Sequence, residues 1–172
     1  SYVVSQSGAF GVRVVSGALL RCVGVAGFVS VGNEFGHTVG SVIRDLAEGS
    51  ADPDLFIVYI ENLRGMDELL VAVADVTARG VPVVVLNTGR SAVGARAAAT
   101  HTGALTTSAA VVANALTAAG ASVVDSDAVL MDVTHAAALS PPRRGERIGV
   151  ITGSGGFGVL CADLLHAHGL VV

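Results

Sequence analysis

Short apolar runs alternate along the chain with stretches in which apolar residues recur every three or four positions. The runs are typical of buried strands, and the spacing is typical of helices with one apolar face. Strands are predicted at residues 2–4, 25–31, 55–60, 82–86 and 122–124. Helical spacing covers residues 12–22, 38–47, 67–79, 107–119 and 126–139. Asp67 and Ser126 are predicted to cap the helices that they begin.

Strands that alternate regularly with helices are typical of a parallel sheet covered on both faces. Residues 1–139 are therefore predicted to form an α/β fold, a doubly wound, flavodoxin-like parallel sheet with strand order 2-1-3-4-5. Ligands of such sheets bind beyond the carboxyl ends of the strands, near the point where the strand order reverses. The loops that leave this edge begin at Ser5, Glu61 and Asn87, so we expect them to converge.

The last part of the chain repeats its beginning. Residues 140–146, Ser-Pro-Pro-Arg-Arg-Gly-Glu, have the composition of a linker, and a strand at 147–152, a glycine turn and a helix to about residue 168 follow. The segment Ser7-Gly8-Ala9-Phe10-Gly11-Val12 corresponds to Ser154-Gly155-Gly156-Phe157-Gly158-Val159 at a constant offset. We therefore expect residues 147–172 to begin a second similar domain, with both ends of the chain cut from a longer polypeptide.

Each glycine turn places free backbone N–H groups at the start of a helix, where the helix dipole adds partial positive charge. Such a turn can bind phosphate without a lysine. The alternative is that the glycines only permit a tight turn between strand and helix. The presence of two matching copies favours the anion site. The second copy also fits the dinucleotide pattern G-x-G-x-x-G, but its confirming acidic residue would lie beyond residue 172.

The loop after the fourth strand carries the candidate reactive group. His101 stands between two threonines and before a glycine, in a long loop with no apolar periodicity that would bury it. Glu61 ends the third strand, where its carboxylate could orient an imidazole, although a solvated strand end is the alternative. We predict that the two act as a pair. Serine hydrolase chemistry is disfavoured because neither turn has the G-x-S-x-G form.

Composition excludes several classes of function. All ten basic residues are arginines, so a Walker A loop and lysine-dependent pyridoxal chemistry are excluded. The net charge is −4 and the arginines are scattered, so no nucleic-acid binding is expected. No membrane span or signal sequence is evident, which predicts a cytoplasmic protein. No metal site is expected from the histidines, and Cys22 and Cys161 are predicted to be core residues.

Several short motifs follow one another along the chain. They are Ser5-Gln6-Ser7-Gly8-Ala9, Val31-Gly32-Asn33-Glu34, Tyr59-Ile60-Glu61, Gly89-Arg90-Ser91, His101-Thr102-Gly103-Ala104 and Gly153-Ser154-Gly155-Gly156. In this order the sequence resembles the nucleoside-diphosphate-forming acyl-CoA synthetases, the superfamily that includes succinyl-CoA synthetase. The resemblance runs along the whole chain.

The resemblance implies a set of roles. His101 would be transiently phosphorylated, Glu61 would support its imidazole, and the phosphate would lie between the N-termini of helices that start at Ser7-Gly8 and Gly155-Gly156. The candidate phosphate-binding residues are Ser5, Gln6, Ser7, Gly8, Thr102, Gly103, Gly153, Ser154, Gly155 and Gly156.

The resemblance also implies substrates and partners. The parent protein would convert a small carboxylic acid, CoA and ATP, with Mg²⁺, into acyl-CoA, ADP and phosphate. It would need a CoA-binding domain and an ATP-grasp domain or subunit, so this fragment alone should neither complete the reaction nor hold a cofactor tightly. An oligomer is expected. The alternatives are a regulatory, acyl-CoA-sensing module of a protein acetyltransferase and a flavodoxin-type nucleotide binder. The absence of Trp speaks against flavin stacking.

Overall fold

The computed structural model describes residues 1–49, 52–61, 64–91, 93–94, 96, 109–140 and 145–172. The chain divides into two units, residues 1–141 and 142–172, and each is described by itself. The predicted linker at 140–146 includes residues 141–144, which lie outside the described residues. That residues 147–172 begin a second domain of the same type stays a prediction.

The first unit is a parallel sheet in the order β2-β1-β3-β4-β5, as the sequence pattern predicts. Its strands are β1 (Tyr2–Ser5), β2 (Gly27–Ser30), β3 (Phe56–Ile60), β4 (Val83–Asn87) and β5 (Ser122–Val124). Its helices are α1 (Gly8–Leu20), α2 (Val39–Glu48), α3 (Met66–Ala78), α4 (Ala109–Ala118) and α5 (Asp127–Leu139). The α/β doubly wound prediction is confirmed.

The apolar side chains of the strands pack against helices on both faces of the sheet. One cluster joins Phe56, Val58 and Ile60 to α2, α3 and α4, and the other joins Ile57 and Tyr59 to α1 and α5. Successive strand residues point to opposite faces, which explains this alternation within β3. Each fully buried branched side chain contributes about 1.5–3 kcal/mol, so the continuous apolar runs account for most of the stability of the sheet.

The sequence predicts side-chain caps at the starts of two helices. The Ser126 hydroxyl accepts the Val129 N–H at 3.3 Å at the start of α5, so the predicted cap is confirmed. The Asp67 cap is wrong, because α3 begins at Met66 after Gly65, which has a φ of 64° and no side-chain cap. A Cβ at Gly65 would clash with the Thr38 side chain, so glycine suits both the backbone and the space.

Within residues 145–172, the described part of the second unit, there is one helix, α6 (Gly155–Ala167), and no strand. The predicted strand at 147–152 is wrong, since Arg147 only forms an isolated bridge with Val171. A strand requires a neighbouring strand for its backbone groups, and residues 145–172 supply only this short partner. None of residues 145–172 is buried.

The predicted core positions of the cysteines are also wrong. Cys22 is exposed and Cys161 is partly exposed. Cys22 lies just beyond the end of α1, with a left-handed φ of 58°. The apolar spacing that continues through Cys22 therefore extends past the helix that it predicts.

Candidate functional site

The candidate site lies at the carboxyl edge of the sheet, where β1, β3 and β4 end. Ser5 pairs with Tyr59 across β1 and β3, and Ile60 pairs with Asn87 across β3 and β4. The loops after these strands therefore leave the sheet side by side, as predicted. His101, Thr102 and Gly103 lie outside the described residues, so their predicted roles stay predictions.

The loop between β1 and α1 is a tightly bonded turn. The buried Ser5 hydroxyl accepts the Ser7 N–H at 3.0 Å and donates to the Ser7 carbonyl at 2.6 Å. The Ser7 hydroxyl accepts the Phe10 N–H at 3.3 Å and so caps α1. The N–H groups of Gly8 and Ala9 have no partner within the helix, as at the start of any helix. With the helix dipole they attract an anion by about 0.3–1 kcal/mol.

The Gln6 side chain joins this turn to the loop after β3. Gln6 is buried, and its Oε1 accepts the Glu61 N–H at 2.6 Å. Its own backbone N–H donates to the Tyr59 carbonyl at 3.1 Å. The sequence predicts Gln6 as a phosphate-binding residue, and the structure places its side-chain carbonyl on the backbone of the candidate catalytic residue.

Glu61 follows directly on β3, at the edge that the sequence predicts. Its Oε1 accepts a hydrogen bond from the Tyr59 hydroxyl at 2.9 Å. An ionised carboxylate has about four lone-pair sites and can accept several hydrogen bonds, including one from an imidazole N–H. The structure thus brings Glu61 and Gln6 together just before the start of α1, and the pairing of Glu61 with His101 stays a prediction.

The second glycine turn has the same local geometry in its own unit. The Ser154 N–H donates to Thr152 Oγ1 at 3.1 Å, and Thr152 Oγ1 donates to the Ser154 carbonyl at 3.3 Å. Ser154 stands at the N-cap position of α6 but makes no side-chain cap. Gly153, Gly155 and Gly156 are exposed. That both turns face one anion stays a prediction.

Glu34, in the loop after β2, is a further acidic residue at this edge and is not among the predicted site residues. Its backbone has a φ of 58°, and only 8% of the residue is exposed. Its Oε1 accepts the Val39 N–H at 2.8 Å, and its Oε2 has no hydrogen-bond partner in the described part of the chain. Burial raises the pKa of Glu34 and outweighs the hydrogen bonds from Val39 and Gln6, which lower it.

The described residues show neither a metal cluster nor a membrane helix. Within them, no group of three or more His, Cys, Asp or Glu side chains is arranged to hold a metal ion. In the same ranges, no helix is both long enough and apolar enough to cross a membrane.

Residues 2–137 match the family model described as the succinyl-CoA ligase like flavodoxin domain. The chain belongs to this family. The match covers β1 to β5 and most of α5, which includes the whole edge at which Gln6 and Glu61 meet.

The relatives of this succinyl-CoA ligase like chain are acid–CoA ligases. The alpha subunit of ADP-forming acetate–CoA ligase II from Pyrococcus furiosus is 32% identical over 167 residues, which are 97% of this chain and 36% of that protein. ADP-forming acetate–CoA ligase from Methanocaldococcus jannaschii is 32% identical over 161 residues, 94% of this chain and 22% of that protein.

A solved structure gives the same result for the fold. The dinucleotide forming acetyl-coenzyme A synthetase 1 of Ca. Korarchaeum cryptofilum, in complex with phosphate and ADP, is 29% identical with a TM-score of 0.89. It matches 99% of this chain and 37% of its own. The chain therefore spans between 22% and 37% of the length of these three relatives.

Sequence reasoning identified Glu61 but not the contacts that hold it. Tyr59 reads as one more apolar residue of a buried strand, and Gln6 reads as part of a glycine turn. Glu34 lies in a motif that carries the family resemblance, and its place after the second strand is the signal that could have assigned it to this edge.

Proposed function

We propose that this chain is the phosphohistidine-bearing part of an ADP-forming acyl-CoA synthetase. The full protein would convert a small carboxylic acid, CoA and ATP into acyl-CoA, ADP and phosphate. The observation that carries this proposal is Glu61, whose carboxylate is bound by Tyr59 and whose backbone is bound by Gln6 in the loop before α1, in a chain of this family. Transfer of an anionic phosphoryl group depends mainly on positioning and on stabilisation of its charge, and a nearby helix N-terminus stabilises that charge.

The proposed reaction proceeds in three steps. A nitrogen of His101 attacks the γ-phosphorus of ATP, a P–N bond forms, and ADP leaves as the P–O bond breaks. The carboxylate of the acid then takes the phosphoryl group, which breaks the P–N bond and gives an acyl phosphate. The CoA thiol, which loses its proton, attacks the acyl carbon and releases phosphate. Glu61 accepts the other imidazole N–H and balances the positive charge of the phosphorylated ring.

The proposal assigns substrates and partners to the longer protein. CoA and ATP with Mg²⁺ would be its substrates, and a CoA-binding domain and an ATP-grasp domain or subunit would supply what this chain lacks. We expect an oligomer that works in the cytoplasm, where CoA and ATP are available.

Phosphorylation of the full-length protein tests this proposal. With γ-labelled ATP and Mg²⁺, the protein together with its ATP-grasp domain or subunit should acquire an acid-labile label, and His101→Asn should abolish it. The matched control is His37→Asn, which removes an exposed loop histidine and should label like the wild type. A label that survives in His101→Asn contradicts the assignment. A wild-type protein that never labels favours the regulatory alternative.

A further inference from the structure

Tyr59 is a buried phenol that the proposed reaction does not use. Only 8% of the residue is exposed, and its hydroxyl donates to Glu61 Oε1 at 2.9 Å. Residues two apart along a strand point to the same face of the sheet, and Glu61 is the first residue after β3, two positions beyond Tyr59.

The ring of Tyr59 is in turn packed against α1. It stacks on Phe10 with a centroid distance of 4.2 Å and an angle of 27° between the ring planes. Phe10 lies in the first turn of α1, and its backbone N–H is bound by the Ser7 cap. Thr88 Oγ1 also lies 3.5 Å from the Tyr59 hydroxyl. Tyr59 thus connects the Glu61 carboxylate to the candidate anion-binding turn.

The backbone of Glu61 is held by the same turn. Gln6, which stands between Ser5 and Ser7, accepts the Glu61 N–H at 2.6 Å. Glu61 is therefore fixed at two points, one on its backbone and one on its side chain, and both lead to the loop that begins α1. Groups that are fixed in this way keep a productive geometry because their supporting residues are themselves locked.

The Tyr59 hydroxyl stays protonated, and so remains a hydrogen-bond donor, at neutral pH. Burial raises the pKa of Tyr59 to about 12, and the hydrogen bond to Glu61 and its charge act in the same direction, against the Thr88 contact. A phenol with this pKa stays protonated at neutral pH. It therefore donates to an acceptor such as a carboxylate.

We propose that Tyr59 is a positioning residue, whose hydroxyl orients the Glu61 carboxylate relative to the first turn of α1 so that it meets the His101 imidazole in one orientation. This inference rests on the proposed function. It adds a residue that acts through Glu61 and does not touch the phosphoryl group itself.

Tyr59→Phe tests the inference in the full-length protein with its ATP-grasp domain or subunit. The variant keeps the ring that stacks on Phe10 and removes only the hydroxyl. The single-turnover rate of labelling from γ-labelled ATP should fall about 10- to 100-fold, the effect of one hydrogen bond to a charged group. The matched control is Tyr2→Phe, since Tyr2 is the other tyrosine of the chain and its ring packs at 6.3 Å from Phe56. It should label at the wild-type rate.

A double-mutant cycle with Glu61→Gln separates positioning from a general loss of structure. If Tyr59 acts through Glu61, adding Tyr59→Phe to Glu61→Gln should change the labelling rate by less than about twofold. An equal slowdown in both backgrounds overturns the inference, and so does a Tyr59→Phe protein that labels at the wild-type rate. Phe10→Leu provides a second route, because it removes the stacked ring and leaves the hydroxyl; it should slow labelling less, and again only when Glu61 is present.

These outcomes are distinct from failure of the proposed function. Absence of labelling in the wild type, or labelling of His101→Asn, contradicts the phosphohistidine proposal. Normal wild-type labelling with an unaffected Tyr59→Phe variant contradicts only the role of Tyr59. Thermal unfolding of each variant shows whether a slower rate has a structural origin, since Tyr59→Phe should melt close to the wild type.

Discussion

The two glycine turns have the same local backbone and different surroundings. Ser7 and Ser154 both have extended N-cap conformations, with φ and ψ of −117° and 119° in the first and −124° and 119° in the second. In each turn a hydroxyl two residues earlier bonds to both backbone groups of the N-cap residue, from Ser5 in one and Thr152 in the other. The repeat in the sequence is thus a repeat in structure.

The difference lies in what each unit packs around its turn. Ser5 is fully buried, because β1 lies between β2 and β3, whereas Thr152 is exposed. In the first turn the Gln6 side chain accepts a hydrogen bond from the backbone of Glu61, the residue after β3. The second turn has Gly153 at the equivalent position, which has no side chain for such a bond. A local motif therefore specifies the turn, and the neighbouring strands determine whether it becomes a rigid part of a site.

The largest expected difference between the two turns concerns the glycine at the fourth residue of each helix, Gly11 in α1 and Gly158 in α6. At Gly11 an added Cβ would clash with the Phe28 ring and lie 3.2 Å from Ser5 Cβ, whereas at Gly158 the nearest atom is Thr152 Cγ2 at 3.4 Å. Gly11→Ala should lower the free energy of unfolding by about 1–2 kcal/mol, since overpacking exceeds the gain in helix propensity. Gly158→Ala should stabilise α6 by about 0.5–1 kcal/mol.

Amide hydrogen exchange, read separately for α1 and α6, measures both effects. Protection should fall in α1 of Gly11→Ala and rise in α6 of Gly158→Ala. Equal gains in both helices would show that Phe28 moves away at little cost and that the first turn is not tightly packed.

A smaller difference is expected at the caps. Ser7→Ala removes the hydroxyl that accepts the Phe10 N–H, which should cost about 1 kcal/mol, and Ser154→Ala should change stability by a few tenths because Ser154 makes no side-chain cap. Thermal unfolding of the two variants compares them directly. The contrast breaks down if Ser154→Ala is as destabilising as Ser7→Ala.

The smallest effect is a pH dependence that belongs to the first unit. Burial raises the pKa of Glu34 above its ordinary value of 4.5, whereas the acidic residues of the second unit, Glu146 and Asp163, are exposed. The folded protein therefore binds more protons than the unfolded chain above this pH. The stability that Glu34 contributes is complete below 4.5 and is lost as pH rises through the folded pKa.

Glu34→Gln measures this contribution by difference. The amide keeps a carbonyl for the Val39 N–H but does not titrate, so the stability of the wild type minus that of the variant should fall as pH rises from 4.5. Taking the difference cancels the opposite contribution of Glu68, whose pKa is lowered by the Thr38 hydroxyl and by Arg44. Urea unfolding at several pH values provides the data. If the stability of the wild type minus that of the variant stays constant or rises with pH, burial does not raise the pKa of Glu34.

Much of the fold could be predicted from the sequence because it follows from local periodicity. Apolar runs bounded by turn residues marked β1 to β5, and Ser126 before its helix marked a cap. The same reasoning failed at residues 147–152, where a strand-like run has no adjacent strand to pair with. It also failed at Asp67, because helix α3 begins with a left-handed glycine that suits the neighbouring Thr38.

The sequence by itself determined that Glu61 stands at the end of the third strand run, at the carboxyl edge of the sheet, and that two serine-glycine turns begin helices, since these features depend on neighbours within a few residues. It also predicted His101, whose role phosphorylation can test. Only the tertiary structure decided that Gln6 holds the backbone of Glu61 from 55 positions away and that Tyr59 holds its carboxylate while stacked on Phe10. Such contacts arise when the sheet brings distant segments together, and no short-range pattern records them.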